Sequence, residues 1–402
     1  MKTVAIISEY NPFHNGHLYQ IEKIREHFGA DTAIIAIMSS NFTQRGDIAI
    51  MDKWARAESA VRCGVNLVLE LPFPYSMSSA EFFAKAGVHI ANEIGVVDVI
   101  AFGSESGDIT LLEETARNLC SPEIDAEIAR LTTEYDNLGY AEIRELAYKN
   151  VYGTVPPISS SNNILAVEYI KALYSLGSTI TPFTVKRTGA DYNEENVTQG
   201  SIQSATAIRN LFSDNSNSAE NFVPKDVFGC ILSEQNKGAF PCDSEALYPA
   251  VAASFTLNFT ADDCDIHDVC GGLYNRLKNK NLEATSINSL VELTATKKYT
   301  TARIKRGIWY SLLGVTSSDV RALPEYTQVL AMDKVGQALL KRIKKSSNLS
   351  VLTRPSDAPC SAISLKQKAL SDKADAVSQL AKPTPAPVGS IYKRTPFVKK
   401  DV

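Results

Sequence analysis

Two patterns of apolar and polar positions alternate along the first hundred residues. Short, nearly continuous apolar runs occur at "TVAIIS" (Thr3–Ser8), "TAIIAIM" (Thr32–Met38), "NLVLEL" (Asn66–Leu71) and "VVDVIAFG" (Val96–Gly103). Runs of this length, rich in Val and Ile, predict strands buried on both faces of a parallel sheet. Between them, "LYQIEKIREHF", "KWARAESAVRC" and "SAEFFAKAGVHIANEI" repeat their apolar residues at helical spacing. Gly29, Gly64 and Gly95 follow these three stretches, where a helix-ending glycine belongs. Strand, helix, strand in this rhythm predicts βαβ units, hence an α/β domain with a doubly wound, Rossmann-like parallel sheet.

The pattern then becomes mostly helical. Leu111 to Tyr152 reads as a helical insertion, "NNILAVEYIKALYSLG" as a further helix, and "TPFTVKR" (Thr181–Arg187) as a last strand. "SATAIRNLF" (Ser204–Phe212) reads as a helix capped by its own serine. The polar run from Ser213 to Asn221 reads as a linker. We therefore expect a nucleotide-binding domain over 1–213 and a mostly helical, basic domain over 222–350. A basic, partly disordered tail is expected over 351–402, loosely ordered over about its last 20 residues, where "KPTPAPVG" occurs. Within the second domain, "YTQVLAMDKVGQALLKRIKKSSNLSVLT" predicts a small strand–helix–strand unit.

Composition adds limits. Hydrophobic residues make up 44% and charged residues 21%, as in ordinary globular proteins. No apolar stretch is long enough to span a membrane, and the start lacks a signal-peptide pattern. Seven scattered cysteines suit reduced thiols and a cytoplasmic setting. The net charge of −4 hides an asymmetry: Val291 to Val402 holds 20 Lys and Arg against 8 Asp and Glu. A basic end on an acidic body points to a polyanionic partner, or to a solvated face and a frayed tail.

The chemistry concentrates in "SEYNPFHNGHLYQ", Ser8 to Gln20. It lies where the first strand turns into the first helix, a favoured ligand site in an open α/β sheet. Free N–H groups and the positive helix end suit phosphate there. Gly16 allows close backbone approach, and His14 and His17 on either side can donate to phosphate oxygens. A structural role and metal ligation are the other readings of such a pair.

"HNGH" resembles the His-x-Gly-His signature of the HIGH nucleotidyltransferase superfamily, and "SATAIR" (Ser204–Arg209) resembles its second signature. The series "EYNPFHNGH", "QRGDIAIMDKWAR", "LVLELP", "FGSE", "NNIL" and "SATAIR" is similar to the tRNA(Met) cytidine acetate ligase family, from Met1 to about Ser350. That resemblance implies an ATP-dependent, adenylate-forming ligase with Mg²⁺. Its substrates would be acetate and the wobble cytidine of elongator tRNA(Met). It implies catalytic roles for His14 and His17. It implies nucleotide contacts for the whole run Ile7, Ser8, Glu9, Tyr10, Asn11, Pro12, Phe13, His14, Asn15, Gly16, His17, Leu18, Tyr19 and Gln20. Gly103, Asn162, Asn163, Arg187, Ser204, Thr206 and Arg209 join them. A small-molecule enzyme of the same superfamily and a non-catalytic RNA-binding protein are the rival readings.

Other stretches carry weaker signals. Gln44, Arg45 and Lys53, after the second strand, are candidates for the acetate or cytidine side, with Trp54 in the core. Lys297, Lys298, Arg303, Lys305 and Arg306 interleave with Tyr299, Trp309 and Tyr310, and Lys341, Arg342, Lys344 and Lys345 follow. Cations grip phosphates and aromatics stack on unpaired bases, so these are the predicted tRNA contacts. A buried apolar stripe with solvated cations is the alternative. "CDIHDVC" (Cys264–Cys270) lacks zinc-finger spacing, and no metal site is predicted.

Overall fold

The apolar runs become β1 (Thr3–Ser8), β2 (Ala33–Ser39), β3 (Leu67–Leu71) and β4 (Val99–Ser104), and "TPFTVK" becomes β5 (Thr181–Lys186). This structure is a computed structural model describing residues 1–400 apart from 136–137, 157, 159, 188–201, 214–216, 258–264 and 271. The five strands are parallel in the order β5-β4-β1-β2-β3. Thr3 lies opposite Ala33 and Ser8 opposite Met38 in the central pair. Helices Asn15–Phe28, Lys53–Arg62 and Ala80–Glu93 connect β1 to β4. The predicted insertion is three helices, Ile109–Leu119, Pro122–Glu134 and Tyr140–Tyr152, before the helix Ser161–Ser175 leads to β5. The winding direction reverses between β1 and β4, which opens a crevice at their carboxyl ends.

Alternation along β1 builds the two cores. Val4 and Ile6 pack with Ile21, Ile24 and Val61 on one face of the sheet. Ala5 packs with Ile35, Ile37, Ile90 and Ile170 on the other. Each fully buried aliphatic side chain contributes about 1.5–3 kcal/mol.

The later part of the chain departs from expectation. Between 222 and 325 helices do dominate: Tyr248–Thr256, Leu273–Asn281, Ile287–Thr294 and Thr301–Leu313 surround a core containing Leu277, Leu290, Trp309 and Tyr310. But β6 (Tyr326–Met332) pairs antiparallel with β3, and β7 (Ser350–Leu352) and β8 (Phe397–Val398) pair with β6. The expected small unit is thus part of the first domain's sheet. The physical reason is burial: all seven residues of β6 are buried, and the open edge of β3 supplies the partner they need. The tail differs too. Ala362–Ser378 is a helix whose Asp375 Oδ2 accepts from Lys53 Nζ at 2.5 Å, while Lys53 also donates to Glu70 at 2.7 Å. Further on, Lys382 and Arg394 pair with Asp52 at 3.3 and 2.7 Å. Composition reads such a segment as loose because it does not reveal buried charges waiting for partners. The linker Ser213–Asn221 falls partly outside the described residues.

Among the described residues no helix is long and apolar enough to cross a membrane.

Candidate functional site

The loop after β1 is fixed from below. Arg56 is fully buried and donates to the backbone carbonyls of Glu9, Ser40 and Met51. Asn11 Oδ1 accepts from the Ile50 N–H at 2.9 Å. Tyr10 adopts φ 48°, a left-handed conformation costly for a bulky residue. Its ring is held 4.9 Å from Phe13 and 4.8 Å from His17.

His14 is the N-cap of the first helix. Its Nδ1 accepts from the Gly16 N–H at 3.0 Å, and His17 Nδ1 accepts from the His14 N–H at 3.2 Å. This reciprocal cap fixes both tautomers: each Nδ1 is an acceptor, so each neutral ring carries its proton on Nε2. The rings stack with centroids 3.8 Å apart. Burial, with Arg187 and Arg209 nearby, holds the His14 pKa at about 3. Burial, then His14 and Arg187, hold His17 well below its usual value. Two neutral donors therefore sit side by side at the helix start. Gly16 makes this possible, because a Cβ there would lie 2.9 Å from His14 Cε1.

A cleft with about 880 Å³ of free space opens at the β1–β4 crevice. Ile7, Ser8, Glu9, Tyr10, Asn11, His14, His17, Gln20, Gly103, Asn162 and Arg187, all predicted, line it. Gly16 and Tyr19 line a smaller adjoining hollow. Gly103 leaves room for the Arg187 stem, whose Cγ would be 3.2 Å from an added Cβ. Burial raises the pKa of Glu9, whose Oε1 accepts from the Gln44 N–H at 2.8 Å.

The remaining predicted residues stand behind the cleft. Pro12 and Phe13 are buried, Leu18 packs on the core, and Asn15 donates to the Asn221 carbonyl at 3.2 Å. Ser204 caps its helix by accepting from the Ala207 N–H at 3.0 Å, as read from the sequence. Arg209 donates to the Asn11 carbonyl and to Thr206 Oγ1, each at 3.0 Å, so it braces the histidine loop. Asn163 Oδ1 accepts from the Glu105 N–H at 3.0 Å. The Glu105 carboxylate accepts in turn from Ser160 Oγ and Asn162 Nδ2, each at 2.6 Å, tying "NNIL" to "FGSE".

Sequence reasoning missed the apolar wall of Phe83, Phe102, Leu165 and Tyr169. Asn162, Leu165 and Tyr169 recur at i, i+3 and i+7, so helical spacing from a suspected site residue was the usable signal. Gln44 lines the cleft as suspected, and Arg45 donates to Ser161 Oγ at 3.0 Å beside it. Lys53 does not reach the cleft, being buried between Glu70 and Asp375. Trp54 packs against the core as expected.

The basic stretch also needs correction. Trp309 donates to the Gly46 carbonyl at 2.7 Å and Tyr310 to the Met77 carbonyl at 2.7 Å, both fully buried. Tyr299 is buried as well, so none of the three aromatics is presented for stacking. Arg306 is buried against Asp268 at 2.6 Å, Lys305 pairs with Asp47 at 2.6 Å, and Arg303 binds the Asp268 carbonyl at 2.9 Å. Lys297, Lys298, Lys341, Arg342, Lys344 and Lys345 are exposed. In "CDIHDVC", Cys264 lies outside the described residues, and His267 is packed edge-on against Phe82 and Tyr310.

A switch-point cleft floored by a histidine-capped helix is the architecture of a nucleotidyl-transferring enzyme. The HIGH Nucleotidyl Transferase pattern matches residues 1–388. A tRNA(Met) cytidine acetate ligase of Acetivibrio thermocellus is 41% identical over 89% of this chain and 89% of its own. One of Caldicellulosiruptor bescii is 39% identical over 86% and 85%. Thermotoga maritima TmcAL superposes with a TM-score of 0.91 in its apo crystal structure, at 30% identity over 99% of both chains. Its crystal structure with bound alpha-thio ATP gives 0.90, with the same identity and coverage. The chain belongs to the HIGH Nucleotidyl Transferase family, among the tRNA(Met) cytidine acetate ligases.

Proposed function

We propose that this protein activates acetate with ATP and transfers the acetyl group to N4 of the wobble cytidine of elongator tRNA(Met). The observation that carries the reading is the pair of stacked, neutral imidazoles, each with its proton on Nε2, bordering the switch-point cleft beside Arg187. Relatives at 41% and 39% identity bear the name of this activity, and the similar TmcAL binds an ATP analogue.

An acetate oxygen attacks the α-phosphorus, and the bond to pyrophosphate breaks. Negative charge builds on the phosphate oxygens during this step. His14 and His17 donate to them from Nε2, and Arg187 adds its guanidinium. Preorganised donors of this kind lower the barrier without reorganising. Arg209, Thr206 and Ser204 act indirectly, by holding the Asn11 carbonyl and the helix start behind the loop. The cytidine N4 then attacks the acetyl carbonyl carbon, AMP departs, and N4 loses a proton. The apolar wall of Phe83, Phe102, Leu165 and Tyr169 keeps water from the mixed anhydride.

Mg²⁺ would enter with ATP. Glu9 is the one carboxylate among the residues lining the cleft, and no three His, Cys, Asp or Glu side chains converge among the described residues. That donor set fits a cation held mainly by phosphate oxygens and water, with Glu9 as its protein ligand. Lys297, Lys298, Lys341 and Arg342 supply exposed positive charge for tRNA phosphates.

The test is mass analysis of tRNA nucleosides after incubation with ATP and labelled acetate. Labelled N4-acetylcytidine in elongator tRNA(Met) supports the reading. Acetate-dependent pyrophosphate release with unlabelled tRNA favours a small-molecule enzyme, and no release at all favours a non-catalytic RNA-binding protein.

A further inference from the structure

A transfer to a base in a tRNA loop needs a surface beside the cleft that holds unpaired nucleotides. The aromatics of Thr301–Leu313 do not provide one, since they are buried. A different surface has the required chemistry. A trough with about 730 Å³ of free space runs between the first helix and β5, the terminal strand of the sheet. Tyr19, Lys23, His27, Phe183 and Lys186 line it. Phe183 presents a half-buried ring, with His27 tilted against it at 4.6 Å. Lys23 lies 5.7 Å from the centre of the Tyr19 ring. Lys186 and His27 are exposed.

The trough is continuous with the cleft. Tyr19, Val185 and Lys186 line both the trough and the small hollow, while His17, Gly103 and Arg187 line both the hollow and the cleft. The charge is right for a phosphate backbone. Lys23, Lys186 and Arg187 line the trough and hollow with one carboxylate, Glu26, which pairs with Lys23 at 2.5 Å on the exposed rim, where Glu22 also acts on Lys23. Cations that track a backbone, interleaved with aromatic faces, are how proteins hold single-stranded RNA.

We infer that this trough is the seat of the single-stranded loop of the RNA substrate, with the nucleotides flanking the modified base lying along Tyr19, His27 and Phe183. The inference rests on the functional reading above and adds a surface on the nucleotide-binding sheet, away from the basic C-terminal segment.

The test uses the full chain carrying Lys23→Glu and His27→Glu together, both on the helix surface remote from the histidine cap. The probe is an RNA hairpin with the anticodon loop of elongator tRNA(Met). The double variant should bind the hairpin at least about 10-fold more weakly and raise KM for tRNA similarly. Its salt dependence should flatten by roughly 0.7 for the lost lysine contact. Acetate-dependent ATP–pyrophosphate exchange should stay at the wild-type rate, and Lys23→Arg should behave as wild type. Unchanged hairpin affinity and salt slope in the folded double variant would overturn the proposal. If the wild type shows no acetate-dependent exchange, the functional reading falls. The hairpin titration then decides the trough by itself: weakened binding in the double variant upholds it, and unchanged binding ends it.

Discussion

The histidine loop and the helix Thr301–Leu313 look alike as sequence: each is a short run of functional side chains at a helix start. In the structure they are opposites. His14 and His17 spend only their Nδ1 atoms on the backbone and keep Nε2 for a ligand. In the basic helix, Trp309, Tyr310, Arg306, Arg303 and Lys305 are all engaged with other parts of the chain. Two of these partners, Gly46 and Asp47, sit in the "QRGD" loop beside Gln44, which reaches the cleft. The basic helix is thus a brace for the site. A buried aromatic or guanidinium group whose donors are spent inside the protein, as at Trp309, Tyr310 and Arg306, has none left for a ligand.

The largest effect should come from breaking the deepest brace. Lys53→Met leaves Glu70 and Asp375 facing one another without a cation, which should cost about 3–5 kcal/mol. Chemical denaturation would measure it, and a loss under 1 kcal/mol would show that the C-terminal helix is not anchored there. Arg306→Ala strands the half-buried Asp268 carboxylate and should cost about 1–3 kcal/mol. If it weakens tRNA binding without lowering stability, the brace reading of this helix is wrong.

A pH series sharpens the contrast from the other side. His14 has a folded pKa of about 3 against an unfolded value near 6.5. The unfolded state therefore binds the extra proton between these values, and the His14 contribution falls as pH drops below about 6.5. His14→Asn keeps a good N-cap but removes the titration. Its stability should decline less steeply on acidification than wild type, by up to about 1.4 kcal/mol per pH unit. Parallel curves would mean the ring is not held neutral. The smallest effect should come from the exposed pair: Lys297→Ala with Lys298→Ala should leave the melting temperature unchanged. It should flatten the tRNA salt slope by roughly 0.7–0.9 per cation. An unchanged slope would remove this pair from the tRNA surface.

The sequence announced whatever depends on local pattern. The five parallel strands, the cap at Ser204 and the place of the histidine loop at the cleft all follow from runs of a few residues. What it concealed depends on distant pairing. Tyr326–Met332 reads as a strand, but nothing in it says that its neighbour is Leu67–Leu71. Ser361–Arg394 reads as polar and loose because its contacts with Lys53 and Asp52 join residues more than 300 positions apart. The same limit hid the roles of Trp309 and Lys305, whose partners lie in the loop at Gly46 and Asp47. Nothing local marks Phe83 and Tyr169 as cleft residues, because a cleft wall and a core face have the same helical spacing.

The central claim is that the two neutral imidazoles stabilise charge at the α-phosphate. The direct measurement is acetate-dependent ATP–pyrophosphate exchange in His14→Asn and His17→Ala, with folding checked by thermal melting. His14→Asn isolates the ring from the cap. Both variants should melt within a few degrees of wild type and exchange at least about 100-fold more slowly, the loss expected when a transition-state donor is removed. Exchange within a few-fold of wild type in both folded variants would contradict the account.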